Sequence, residues 1–266
     1  MIVCDLGDVW QVVMQPDHAE LSGQIAEQWG NGELAAPHPA RGVRIASRRH
    51  DDGWAVWERA PQLDATGAPA TFFKTHIPSH LAFWRAGVAA ITEHDPYAGL
   101  LVSMHGAGIY RGRYGTQPEM KMALAGDVEQ LVDAFVAEQE EGYPQRRADL
   151  GADEAETWTN YRFLQVFDRL SLFFCMNDPE TSASTTIGSV PTDYAGGETA
   201  LDAEAVAPFR VALDPYPFAD EAAFTLRRRL LPKADFASGD AFREALAGVE
   251  AQDVDVVMQP SRVRSG

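Results

Sequence analysis

The strongest constraint on this chain is one carboxylate in an apolar setting. Residues from about Asp153 to Met176 form its most apolar helix-like stretch, flanked by aromatics, and Asp168 sits inside it among Leu164, Phe167 and Leu172. Burying an ionised carboxylate is costly unless a cation or several donors meet it. Any fold that buries this helix must therefore bring something positive to Asp168.

Imidazoles are the first candidates. Four of the seven histidines project from apolar faces of four predicted helices. Pro16 and Asp17 open a helix in which His18, Leu21, Ile25 and Trp29 share a face, ending at Gly30-Asn31-Gly32. Val43, Ala46 and His50 line a second helix, stopped by Gly53. Pro78 opens a third with His80, Trp84, Val88 and Ile91, and Asp95-Pro96 starts a fourth with Ala98, Leu101 and His105. Taken singly, each histidine reads first as a hydrogen-bonded core residue. The doublet His50-Asp51, with a His upstream and Asp168 far downstream, carries more information. Adjacent helical residues point about 100° apart, so both reach one ion only in a groove between helices. Imidazole and carboxylate donors suit a divalent Mn, Fe, Co, Ni or Zn ion. His80 and His105 would then supply a second ion, Asp51 would bridge the two, and a bridging water would be acidified to a hydroxide nucleophile.

Around these helices the pattern is mixed. Asp8 to Gln15 reads as a strand with Met1 to Asp5 as its partner across Leu6-Gly7. Residues 61–69 read as a loop, and so does the stretch from Gly106 to Gly115, which carries Arg111 and Arg113. A long helix is predicted from about Pro118 to Glu141 with Met120, Leu124, Leu131 and Phe135 inside, followed by a loop around Tyr143-Pro144. Ser, Thr, Gly and Pro dominate from Asn177 to Gly197. Strands then follow at 209–213, 224–230 and 253–258, with a short helix near 240–246. The expected fold is α+β and mainly α: one domain over 1–266, with a helical core at about 16–176 and a small antiparallel sheet formed by terminal strands at about 1–15 and 206–260. The repeated Val-Val-Met-Gln-Pro at 12–16 and 256–260 is too short to argue for duplication.

Charge excludes some partners. With 22 basic and 39 acidic residues the net charge is −17, which argues against broad contact with nucleic acid or an anionic membrane. The scattered acidic residues read as a solvation adaptation, such as life in high salt. No stretch approaches the ~20 apolar residues of a membrane span, and the opening residues carry no basic-then-apolar signal, so a cytoplasmic location is expected. Cys4 and Cys175 sit in no metal or redox spacing and read as small core residues.

The order His, His-Asp, His, His, Asp on successive helices resembles the HD-domain superfamily of metal-dependent phosphohydrolases. Residue by residue, the resemblance maps His18 to the first His, His50 and Asp51 to the doublet, His80 and His105 to the extra pair of two-metal members, and Asp168 to the closing Asp. A closer resemblance covers nearly the whole chain. Gln15-Pro16-Asp17-His18-Ala19, His50-Asp51-Asp52-Gly53-Trp54 with Trp57, Asp95-Pro96-Tyr97-Ala98 with Leu101 to Gly106, Phe167 to Ser171 and Asp214 to Phe218 together resemble a bacterial and archaeal family catalogued as domain of unknown function 3891. That family brings no known reaction, lacks the nucleotide-recognition motifs of better-known HD enzymes and adds terminal strands.

The resemblance implies one or two divalent transition metals, with His18, His50, Asp51 and Asp168 on the first and His80 and His105 on a second. Asp51 and Asp52 are the expected catalytic carboxylates, Asp52 orienting a ligand His or acting as general base. Arg111, Arg113 and Lys74 are candidates for binding an anion, and Trp54 for walling the pocket. The expected activity is hydrolysis of a phosphoester or another small anionic metabolite, with no nucleic-acid or membrane partner. A di-iron oxygenase of HD type and a non-catalytic HD-like ligand-binding scaffold are the alternatives.

Overall fold

A computed structural model describes residues 1–120 and 124–261. The chain opens with β1 (Ile2–Asp5) and β2 (Val9–Val13), paired antiparallel as their alternation predicts. Helices α1 (Gln15–Gln28), α2 (Ala40–Arg49), α3 (Ile77–His94) and α4 (Pro96–Tyr110) follow, with a 3₁₀ segment at Asp52–Arg59 between α2 and α3. Their starts match their chemistry. Proline stands in the first turn of α1, α3 and α4, and the Asp95 side chain caps α4 by accepting the Ala98 N–H.

The next stretch departs from expectation. A helix over 118–141 was predicted, yet α5 spans only Asp127–Glu141; Met120 and Leu124 precede it, and 121–123 lie outside the described residues. Its inward face is Val132, Phe135, Val136 and Gln139, while Leu131 is exposed. Tyr143-Pro144 opens a further helix, α6 (Tyr143–Leu150), where a loop was expected, because proline is as acceptable in a first helical turn as in a loop. The apolar helix α7 (Glu154–Met176), capped by Asp153, runs through the centre of the molecule, and its residues from Phe163 to Phe167 are all buried.

The sheet corrects the expected fold class. Strands β3 (Ser184–Pro191), β4 (Glu198–Ala207), β5 (Arg210–Asp214), β6 (Ala222–Pro232) and β7 (Gln252–Pro260) join β1 and β2 in a curled seven-stranded mixed sheet, ordered β1-β2-β6-β7-β5-β4-β3. It is neither small nor wholly antiparallel: β7 returns through α8 (Gly239–Gly248) and inserts between β6 and β5, lying parallel to β5. Two of its strands, β3 and β4, fall in or next to the Ser/Thr-rich stretch, where no strand is expected. In β4 the alternation is real but built on Leu201 and Ala203 facing in against Asp202 and Glu204 facing out, so an apolar count misses it. The two copies of Val-Val-Met-Gln-Pro are not neighbours, since β6 separates β2 from β7.

Helices and sheet share one apolar cluster that runs from Ile2 and Val13 through Leu21, Phe167 and Leu170 to Leu201, Phe224 and Met258. Gln24 on α1 clamps the sheet by donating to the Thr225 carbonyl and accepting its N–H. Cys4 and Cys175 are buried free thiols. No helix among the described residues is long and apolar enough to cross a membrane.

Candidate metal centre

Asp168 projects from the middle of α7, and α1, the joint after α2, and α4 each deliver a histidine beside it. His18 stands on the first turns of α1. His50 and Asp51 do not lie within a helix: α2 ends at Arg49, and the doublet occupies the joint between α2 and the 3₁₀ segment. That joint turns two successive side chains towards one point, where a continuous helix would hold them about 100° apart. Gly53 presses the joint against α3, where a Cβ would collide with the Phe83 carbonyl.

The four groups converge. His18 Nε2 and His50 Nε2 are 3.2 Å apart. Asp168 Oδ1 lies 3.3 Å from the first and 3.5 Å from the second, and Asp51 Oδ2 lies 3.4 and 3.6 Å from the same two nitrogens. Four donors about 2.1 Å from a tetrahedral ion would be separated by about 3.4 Å. His18, His50 and Asp168 thus form a buried group that could hold a metal ion, and Asp51 completes a second triangle on the same two nitrogens.

The tautomers favour this use. His50 Nδ1 is 2.9 Å from the Ser47 carbonyl, which can only accept, so Nδ1 carries the proton and Nε2 is left as a lone pair. His18 Nδ1 is 2.6 Å from Ser171 Oγ, which is also 2.8 Å from the Asp168 carbonyl and 2.8 Å from Ser22 Oγ; where Ser171 gives its proton to the carbonyl, it accepts from His18. In that arrangement two Nε2 lone pairs face each other, with room for a proton or a metal cation between them. Burial alone would lower the His18 pKa, but hydrogen bonds and charge from Asp168 and Asp51 outweigh it and raise it to about 9. Burial likewise opposes ionisation of both carboxyls. For Asp168 the Arg113 charge, with His18 and His50, reverses this and holds it well below the usual range; His50 and His18 lower Asp51 in the same way.

Arg113 is the positive partner that Asp168 requires. Its Nη2 lies 2.6 Å from Asp168 Oδ2 and the pair is almost fully buried. Arg113 and Tyr114 both adopt left-handed backbone, φ 47° and 53°, at the end of α4. Such conformations cost non-glycine residues roughly 1–3 kcal/mol each, and they persist where the surroundings hold them. Nε and Nη1 of Arg113 have no hydrogen-bond partner among the described residues.

The remaining predicted site residues divide. His80 is turned to other partners: its Nε2 accepts from the Trp84 indole at 3.0 Å and its Nδ1 faces the Tyr110 hydroxyl at 2.8 Å. Burial lowers its pKa to about 4. His105 Nε2 is 4.0 Å from Asp168 Oδ2, its Nδ1 has no partner among the described residues, and burial lowers it to about 3. Asp52 pairs with Arg49 at 2.6 Å, half-buried. Lys74 is tied to Asp64, and Arg111 lies near Asp133 and Glu140 on the surface. Gly106 and Gly108 belong to α4, not to a loop; a Cβ at Gly106 would sit 2.9 Å from the Trp84 ring. Trp54 is buried against His80, with ring centroids 4.9 Å apart. Sequence reasoning overlooked Ser47 and Ser171, although each stands three residues from a ligand, a helical spacing that could have flagged them.

The family model described as a protein of unknown function, DUF3891, matches residues 1–233. The chain belongs to that family. All four converging donors and Arg113 lie inside the DUF3891 match, whereas α8 and β7 lie beyond it. No curated protein and no solved structure matches the chain.

Proposed function

We propose that this DUF3891 protein is a metal-dependent hydrolase of a phosphoester or a similar small anionic ester, working with a single divalent ion between His18, His50, Asp51 and Asp168. The observation that carries the reading is the pair of facing Nε2 atoms, 3.2 Å apart and flanked by two buried carboxylates. Two nitrogens and two carboxylate oxygens suit Mn, Fe, Co, Ni or Zn. An ion of that kind supplies Lewis acidity and an acidified water. The protein's own groups do the rest: Ser47 and Ser171 orient the imidazoles, and Arg113 neutralises Asp168 through Oδ2, while Oδ1 faces His18 and His50.

A single ion is favoured over two because both ring nitrogens of His80 are engaged by Trp84 and Tyr110. The order of the four donors along the chain is also that of HD-type phosphohydrolases, which adds to the reading. Purified protein should carry about one equivalent of transition metal, and Asp51→Ala should lose it. Chelation should abolish phosphatase turnover, and Mn or Co should restore it. Two iron equivalents with oxygen-dependent spectra would replace this reading with an oxygenase. A metal-free protein that binds none of these ions would replace it with a non-catalytic scaffold.

A further inference from the structure

The donors sit at one end of a much larger space. A cavity of about 630 Å³ opens from His18, Asp51 and Asp168, a size typical of sites that enclose drug-sized ligands and far beyond the needs of a phosphate group. Arg113 stands beside Asp168 at the cavity's inner end, and Gln117, Glu119, Arg169, Asn177 and Ser184 add polar groups elsewhere on the lining. Away from that end the walls are largely apolar. Trp54, Trp84, Ile109 and Leu172 belong to this apolar lining, and Phe73 and Met176, 63% and 41% exposed, carry it to the surface. Large apolar side chains left in water at the mouth of an apolar cavity are unfavourable unless something covers them.

Arg113 supplies the second half of the argument. It is 5% exposed, its backbone is held in the left-handed region, and among the described residues only its Nη2 has a charged partner. Buried guanidinium N–H groups without acceptors are costly, and an anion at the inner end of the cavity would supply them. An anionic group recognised at one end and an apolar wall running from it to the surface describe an amphiphile.

We infer that the substrate is a phosphate ester of a bulky apolar alcohol, its phosphate held between the His18/His50/Asp51/Asp168 centre and Arg113 and its hydrocarbon body filling the cavity towards Phe73 and Met176. The reaction class rests on the hydrolase reading above; the ligand shape rests on the cavity and Arg113. In the hydrolysis a water oxygen bonds to phosphorus as the ester P–O bond breaks. The water proton passes to the departing alkoxide, leaving an apolar alcohol and inorganic phosphate, with no change of oxidation state.

The test uses ethyl-, butyl-, hexyl- and octylphosphonate, which cannot be hydrolysed, titrated calorimetrically into the full chain with and without Mn. Burying each methylene should tighten binding by about fourfold, so hexylphosphonate should bind at least tenfold more tightly than ethylphosphonate. Leu172→Gln and the rim variant Met176→Gln should flatten this dependence and leave ethylphosphonate within about twofold of wild type. Arg113→Gln should weaken all four phosphonates alike, with no effect on the binding of octanol. Affinity that does not change with chain length, or that changes equally in the Gln variants and wild type, overturns the inference even if Mn binds and phosphatase activity is present. Chain-length dependence in a protein that binds no metal supports the ligand class and defeats only the hydrolase reading.

Discussion

Asp168→Asn replaces one carboxylate oxygen by an NH2 group at the point where the fold and the site meet. The carboxylate is buried, 2.6 Å from Arg113 Nη2 and 3.3 and 3.5 Å from the two imidazole nitrogens. An amide keeps the shape and volume and removes the charge. Arg113 is then a buried cation without a counter-ion, and breaking a buried pair on one side costs about 3–5 kcal/mol. The loss should appear as a lower urea midpoint with an unchanged slope. The second consequence is separable from the first. At 100 times its Kd, a divalent ion should stabilise the wild type by about 2.7 kcal/mol and the variant by nearly nothing. Combining Asp168→Asn with Arg113→Met removes both charges and should recover part of the stability, with a coupling of about 1–3 kcal/mol, while metal binding stays lost. A single variant as stable as the wild type and stabilised equally by Mn would refute both the pairing and the ligand assignment.

Three further outcomes follow from the same geometry. In chelator, stability should peak near pH 6.5. Below it, the unfolded chain takes up protons that His80 and His105, lowered to about 4 and about 3, refuse until lower pH; above it, the contribution of protonated His18 is lost as pH rises through about 9. Urea melts between pH 4.5 and 9 check this, and stability climbing steadily to pH 9 would contradict it. Ser171→Ala, which removes the acceptor for His18 Nδ1, should weaken metal binding on the order of tenfold with little change in stability, as read by competition with a chelating dye; unchanged affinity would show that Ser171 does not orient the ring. Gly53→Ala should push the doublet's joint away from the Phe83 carbonyl and lower both thermal stability and metal affinity, and calorimetry on the purified variant would expose the error if both were kept.

Much of the centre was legible because it rests on local pattern. His18, His80 and His105 were placed on helices by apolar spacing and by the capping residues Pro16, Pro78 and Asp95, and Asp168 by the impossibility of burying it alone. What the sequence hides depends on contacts between distant segments. Nothing in the spacing of His80 reveals that Trp84, one turn on, and Tyr110, thirty residues on, engage both its nitrogens. The pairing of Arg113 with Asp168 needs a left-handed turn that no glycine at 113 or 114 announces. The same limit applies to the sheet. In β3 and β4 the buried apolar face rests on Ile187, Val190, Leu201 and Ala203, and the exposed and half-buried Ser, Thr, Gly and acidic residues between them leave the strand character to pairing. The insertion of β7 between β5 and β6 is a tertiary event with no local sign.

The central claim is that one ion sits among His18 Nε2, His50 Nε2, Asp51 Oδ2 and Asp168 Oδ1. Its most direct test is the anomalous scattering of crystals grown with Mn or Zn, recorded on either side of the absorption edge. The account predicts one strong peak about 2.0–2.2 Å from all four atoms, with His80 still bonded to Trp84 and Tyr110. A peak elsewhere, or these four side chains refined at full order with no peak among them, would contradict it.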